Sequence, residues 1–277
     1  MKRDVTFLVS SCDKYEDAWN PFFEMLHTYA GEIEYPIVLN TETKKFSSAY
    51  YNVRVINTPQ KMTWSKRMMH VLSEIETEFV FLLLEDFFLL SPFDKTRFEY
   101  ILQHMRDNPD VGYVNISSPH RVQENNYDFF YERDFNENIP GVNACWMGVN
   151  ATIWRRDYMQ KILRKHENIW EFEGYSGYRA KNMPYKILNC NEKYPKVYYY
   201  EWVPEAGYGI YQGKWLKKNV ELFEKHGIHV NFENLGFYTS EKKPPTGREK
   251  LLHIVNRTIM RPYWKLRFEY RKFKSMH

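Results

Sequence analysis

Two acidic residues, Glu85 and Asp86, stand between two apolar runs, Phe79–Leu84 and residues 87–90. Six apolar residues in a row predict a strand buried on both faces, the habit of parallel sheets. Carboxylates beside such a strand cost several kcal/mol to bury unless something pairs with them. The least costly arrangement sets them at the carboxyl end of the strand, facing a crevice, where open α/β sheets hold their ligands. A pair of acids there suits a divalent cation and the phosphates it carries. By position alone, the same pair could instead cap a turn or meet Lys66 or Arg67.

Further polar clusters offer chemistry of other kinds. The segment Asn168 to Gly177, NIWEFEGYSG, carries Glu171 and Glu173. If it is extended, alternation sets both acids on one side; if it starts a helix, they favour the positive end of the helix dipole. Residues 207–215, GYGIYQGKW, contain three glycines that permit close backbone approach. Lys214 there could meet a diphosphate at the start of the next helix, although an ordinary glycine-rich turn has the same composition. Ser10, Ser11, Asp13 and Asn40 are short polar residues at predicted strand ends, positions that turn formers often take. Lys66 and Arg67 could bind phosphate or form a solvated helix face. The nine histidines have no metal-binding spacing, and no HExxH, GxSxG, P-loop or GxGxxG occurs.

The elements that would position these residues alternate in type. Strands are expected at residues 5–11, 35–40, 53–56, 79–84 and 111–116, and helices at 18–29, 63–75 and 98–105, with Thr63 or Ser65 capping the second helix. This alternation predicts a doubly wound, mostly parallel sheet flanked by helices. Residues 117–139 form a long polar and aromatic stretch without period, as binding loops and lids do. Residues 143–154 suggest a strand pair or a strand and turn, 156–166 a helix, 184–200 mixed strand and 215–226 a further helix.

The 277 residues, 43% hydrophobic and 18% aromatic, suffice for one large α/β domain with a tail. Charge divides unevenly between the two. Residues 241–277 hold 11 Lys/Arg and 3 Glu, a net +8, which leaves −4 of the total +4 on residues 1–240. An acidic body argues against a nucleic-acid partner. The tail alternates its cations with Trp264, Leu266, Phe268, Tyr270 and Phe273, as a membrane-surface helix does, and also as a helix packed on its own domain does. Three scattered cysteines fit neither a zinc site nor a disulfide framework, so a reducing, cytoplasmic setting is expected. Lys2-Arg3-Asp4 leads straight into a strand, which predicts no signal peptide, and no run approaches the ~20 apolar residues of a membrane span.

Together, the first strand with its Ser-Ser-Cys-Asp loop, the helix with Lys66 and Arg67, and the apolar strand entering Glu85-Asp86 resemble a nucleotide-sugar glycosyltransferase of the GT-A fold, of the bacterial surface-polysaccharide type. The resemblance covers residues 5–227 in element order. It implies a GT-A-like catalytic domain over 1–240 and a basic amphipathic tail over 241–277. It implies transfer of a sugar, UDP-linked by preference, to a saccharide or lipid-linked saccharide hydroxyl, with inversion. Ser10, Ser11, Asp13 and Asn40 would then lie near the base and ribose, and Lys66, Arg67 and Lys214 near the diphosphate. Glu85 and Asp86 would hold Mn2+ or Mg2+ on the donor. Glu173, or failing it Glu171, would be the general base. Phe87 stands where the family's DxD motif has its last acid. The resemblance also implies a place on the inner face of the plasma membrane. A metal-dependent nucleotidyltransferase is the rival enzyme, although the glycine-free loop 10–13 lacks its phosphate cradle. A non-catalytic glycan-binding protein is the rival outside enzymes.

Overall fold

A computed structural model of the chain describes residues 4–116, 128–135, 146–191, 193–201, 209–239 and 261–276. The chain forms two compact units, Met1–Phe237 and Tyr238–His277.

The first unit is built on an eight-stranded sheet. Its strands are β1 (Val5–Ser10), β2 (Ile37–Thr41), β3 (Val53–Asn57), β4 (Phe79–Leu84), β5 (Val111–Asn115), β6 (Phe130–Glu132), β7 (Thr152–Arg155) and β8 (Lys186–Cys190), in the spatial order β3-β2-β1-β4-β7-β5-β8-β6. β7 runs antiparallel to both β4 and β5, β6 runs antiparallel to β8, and the remaining pairs are parallel. This is the expected α/β class with a mostly parallel, GT-A-like sheet flanked by helices.

The apolar runs are buried on both faces because helices cover both. On one face Phe7, Val9, Phe79, Phe81 and Leu83 pack with Phe22 and Leu26 of α1 (Trp19–Ala30) and Phe98 and Leu102 of α3 (Lys95–Asp107). On the other, Leu8, Val80 and Leu82 meet Met68 and Val71 of α2 (Trp64–Ser73), Tyr158 of α4 (Arg156–Ile162) and Phe172 of α5 (Ile169–Ala180). Each large side chain so buried contributes about 1.5–3 kcal/mol. Polar caps fix the helix starts. Thr63, not Ser65, accepts from the Lys66 amide at the start of α2, and Asp94 accepts from Arg97 at the start of α3.

Several expected elements are corrected. Residues 130–132 of the long unpatterned stretch form β6, and the rest of the stretch, apart from 128–135, lies outside the described residues. Residues 184–200 hold only β8, and the helix after Arg155 stops at Ile162. The helix expected from Trp215 starts later, as α6 (Lys218–Lys225). Its would-be first turn is taken by a hairpin, β9 (Ile210–Tyr211) and β10 (Lys214–Trp215), whose pairing uses the Trp215 backbone. Lys214 is therefore on a strand and not at a helix start.

The second unit contains α7 (Arg261–Met276). Its described side chains include Tyr270 and Phe273, which are 66% and 63% exposed. No described helix is long and apolar enough to cross a membrane.

Candidate active site

β1 and β7 flank β4, so the residues just after β4 face the β1 loop on one side and the segment before β7 on the other. The Leu84 amide donates to the Asn150 side chain at 3.0 Å, which draws residues 146–151 against the end of β4. Glu85 is buried and Asp86 half-buried. Burial, and then the charge of Asp86, push the Glu85 carboxyl well above the ordinary carboxylate range. Burial pushes Asp86 up to about 7, against the pull of a hydrogen bond from the Ile210 amide. The nearby Arg67 charge and a Ser11 hydrogen bond pull Glu85 down without offsetting its burial. A divalent cation held by one or two carboxylates and completed by water and substrate phosphates matches this donor set. Among the described residues no cluster of three or more His, Cys, Asp or Glu could hold a metal alone.

The β1 side is a floor of satisfied polar groups. Ser10 accepts from the Trp64 indole at 3.0 Å and Ser11 from the Trp19 indole at 2.7 Å. Asn40 is fully buried; it donates to Ile56 O and the Thr58 hydroxyl and accepts from Arg67 at 3.1 Å. Arg67 also donates to Thr58, to Glu42 at 3.1 Å and to the Ser11 carbonyl, so it binds three strand ends together. Asp13 accepts from the amides of Glu42 and Thr43. Burial alone would raise its pKa, but the Thr43 hydrogen bonds outweigh burial and keep it low. Lys66 is exposed on α2, whereas Arg67, the next residue, is buried. Of the expected donor ligands, Ser10 accepts without donating among the described residues, whereas Ser11 already donates to the Cys12 carbonyl at 3.4 Å and to Glu85, and Arg67, Asn40 and Asp13 are committed to the fold. Arg67→Met should therefore cost about 3 kcal/mol in urea unfolding, because it removes the ion-pair partner of the half-buried Glu42 and leaves the buried Asn40 and Ser11 oxygens without their donor. A loss under ~0.5 kcal/mol, the range of an ordinary surface substitution, would mean that the guanidinium is not structurally committed.

The β9–β10 hairpin lies across the acid pair. Gly209 donates its amide to the Asp86 carbonyl at 2.9 Å, and Ile210 donates to the Asp86 carboxylate at 3.2 Å. A Cβ at Gly209 would lie 2.5 Å from Phe88 and 2.6 Å from the Asp86 carbonyl, so only glycine permits this approach. At the tip Gln212 and Gly213 take positive φ, and a Cβ on Gly213 would lie 2.5 Å from Lys14 Nζ and 3.8 Å from the Tyr15 hydroxyl. The hairpin thus reaches from the end of β4 to the turn after β1. Burial, together with the charges of Cys12, Glu85 and Asp86, pushes Tyr15 up to about 12. On the α6 side a cavity of about 310 Å³ opens beside Asp86, lined in part by Phe87, Tyr200, Lys218 and Asn219. Gly209→Ala should detach the hairpin from Asp86 and cost about 1–3 kcal/mol by overpacking, read by thermal or urea unfolding. An unchanged midpoint would show that the backbone yields there without loss.

Glu171 and Glu173 do not share a side, because their segment is the first half of α5 and not extended. Two residues apart on a helix means about 200° of rotation. Glu171 accepts from the Asn168 amide at 3.1 Å and Asn168 accepts from the Glu171 amide at 2.9 Å, a complete capping box. Glu173 is turned inward. Its carboxylate accepts from the Val149 amide at 3.1 Å and its carbonyl from the Met147 amide at 2.9 Å. Burial raises it to about 8. Residues 147–150 therefore join Glu173 to the end of β4. From the other direction, Phe172 packs on Trp64, which holds Ser10. Sequence reasoning missed the polar roles of Trp19 and Trp64, which their helical spacing marked only as core, and gave no site role to Tyr15 or to residues 146–150, which it read as a strand pair or a strand and turn.

The sheet order and the reversed β7 define an α/β protein with a mostly parallel sheet flanked by helices. No protein-family model matches the chain, and no curated protein is similar to it in sequence. Among solved structures it is similar to the mannosyltransferase PcManGT from Pyrobaculum calidifontis in complex with GDP-Man and Mn2+, with 12% identity and a TM-score of 0.49 over 74% of this chain and 59% of that one. It is also similar to S. aureus TarS residues 1–349, with 15% identity and a TM-score of 0.44 over 71% of this chain and 60% of that one. A third is the CMP:2-keto-3-deoxy-manno-octonic acid synthetase complexed with CTP, with 14% identity and a TM-score of 0.43 over 81% and 97% of the two chains. The chain spans about three-fifths of the first two structures.

Proposed function

We propose that this protein is an inverting glycosyltransferase that moves a sugar from a nucleotide-diphosphate donor, UDP-linked by preference, to a saccharide hydroxyl. The observation that carries the reading is the convergence of two carboxylates of raised proton affinity, Glu85 and Asp86, with a separate buried carboxylate, Glu173, across residues 147–150. The chemistry needs a diphosphate site and a nearby base of raised proton affinity. Glu173 takes the proton from the acceptor hydroxyl as its oxygen attacks the anomeric carbon. The bond from that carbon to the diphosphate oxygen breaks, and the nucleotide diphosphate leaves with the electron pair. Mn2+ or Mg2+ on Glu85 and Asp86, when bound, would neutralise charge on the leaving diphosphate. The Ser10 and Ser11 hydroxyls and the Asp86-anchored hairpin frame the space on either side.

The tail supports a finer part of the proposal. On α7 the exposed Tyr270 and Phe273 stand three residues apart, hence on one face, beside Arg271, Lys272 and Lys274. Such a helix suits an anionic membrane surface, and a lipid-linked acceptor in surface-polysaccharide assembly would be found there.

The test is a thermal-shift panel of UDP-, GDP-, CMP- and dTDP-sugars, with and without manganese. One nucleotide sugar should raise the melting temperature in a metal-dependent way. A rise with free nucleoside triphosphates but with no nucleotide sugar would point to nucleotidyl transfer. No rise with any nucleotide would overturn the proposal in favour of a glycan-binding protein.

A further inference from the structure

Trp146 and Trp170 are 37% and 71% exposed, and among the described residues neither indole has a ring partner or a hydrogen bond. Trp170, at 71% exposed, gives up most of the burial energy its size could provide, and Trp146, at 37%, more than a third of it. Their positions are nevertheless fixed. Trp170, Glu173 and Gly174 fall at i, i+3 and i+4 of α5, so they share one face of that helix. Trp146 comes to the same face from the other direction. The hydrogen bonds from the Met147 and Val149 amides to Glu173 pin its segment there, and a Cβ at Gly174 would lie 3.9 Å from the Trp146 ring. That is ordinary van der Waals range, so the indole lies over the helix at Gly174. Two indoles thus bracket one turn of helix, about 5.4 Å of rise, with the carboxylate-bearing residue between them.

We propose that Trp146 and Trp170 form a stacking platform for the acceptor, and that the acceptor is a neutral pyranoside which lays its C–H face on the indoles and turns a hydroxyl toward Glu173. This rests on the glycosyltransferase reading and adds to it a substrate class and the residues that recognise it. A pyranose suits the site because it offers one apolar face and a rim of hydroxyls, which matches bare aromatic surface next to a hydrogen-bond acceptor. A fatty acyl chain would have no use for the carboxylate. An anionic ligand would meet no cation among these side chains, and the cap acid Glu171 lies on the same turn.

The experiment is saturation-transfer NMR on the full chain with the methyl glycosides of glucose, galactose, mannose and N-acetylglucosamine, without nucleotide. At least one should receive saturation on its ring C–H protons. Trp170→Ala and Trp146→Ala should each weaken that binding about three- to tenfold, and Trp170→Tyr should restore it. Trp170 is largely exposed, so its replacement leaves the fold intact. If no glycoside receives saturation, or if binding in both alanine variants is unchanged from the native protein, the platform is overturned. In a parallel sample with UDP added, saturation of the nucleobase that is lost in Trp170→Ala and Trp146→Ala, with none on any glycoside, overturns it as well and reassigns the indoles to the donor. The nucleotide thermal shift of the same variants separates the two levels. A shift retained alongside a lost glycoside signal supports both ideas, whereas no shift in any form of the protein fails the glycosyltransferase reading itself.

Discussion

Replacing Asp86 with alanine should abolish sugar transfer while leaving a folded protein. The expected loss is about 10³-fold or more, since metal-supplied neutralisation of a leaving diphosphate is worth several kcal/mol and each 1.36 kcal/mol is tenfold in rate. Alanine also removes the acceptor for the Ile210 amide, which loosens the hairpin. Asp86→Asn separates the two effects, because its amide oxygen can still accept from Ile210 while the charge is gone. Turnover should fall nearly as far in the asparagine variant, and the metal-dependent part of the nucleotide thermal shift should vanish in both. A turnover unchanged in Asp86→Asn would reassign the residue to holding the hairpin.

Glu173→Gln should cut turnover about 10²–10⁴-fold, the usual contribution of a general base, with little change in donor affinity. The same substitution should make the protein more stable at pH 8. The folded pKa of about 8 lies above the ordinary 4.5 of glutamate, so within that window the unfolded chain gives up the proton more readily than the native one. Stability on account of this group is therefore full below about 4.5 and declines as pH rises toward 8. Glutamine removes that decline. The gain is on the order of 1 kcal/mol or more at pH 8, roughly 2–4 °C in Tm for a chain of this size, and fades toward pH 4.5. Turnover of the native enzyme should rise with pH toward about 8 as the base loses its proton, whereas that of the glutamine variant should be flat and low. Glu171→Gln should only weaken the capping box, by about 0.5–1 kcal/mol. If it alone removed turnover, the assignment of the base would be reversed.

Where the fold depended on local pattern, it could be read from residue types. The run Phe79–Leu84 is a strand with those very ends, because six buried apolar residues have no other economical use. Asp13, Asn40 and Arg67 were harder. Their types allowed nucleotide contacts, but which polar group faces a ligand and which holds two strands together depends on partners far away in the sequence, such as Glu42 and Thr58. Glu171 and Glu173 were ambiguous for another reason. Period two and period 3.6 make opposite predictions about which acids share a side, and the Asn168 capping signal, present in the sequence, was the cue that decided for a helix. The hairpin at Gly209 was legible only as a glycine-rich turn, since its contact with Asp86 spans more than a hundred positions.

The reversed strand β7 has an evolutionary consequence. The β1, β2 and β4 part of the crevice, with α2 and its Arg67 network, comes from one continuous stretch ending at Leu84. The opposite wall is delivered by the connection that leaves β5 and returns through residues 146–151 into β7. Both ends of that connection, and β6 within it, are held in the sheet, so the sheet constrains its length and composition at those anchors alone. If the walls divide between donor and acceptor as proposed, related chains can exchange acceptors by changing one insertion while inheriting the nucleotide half unaltered.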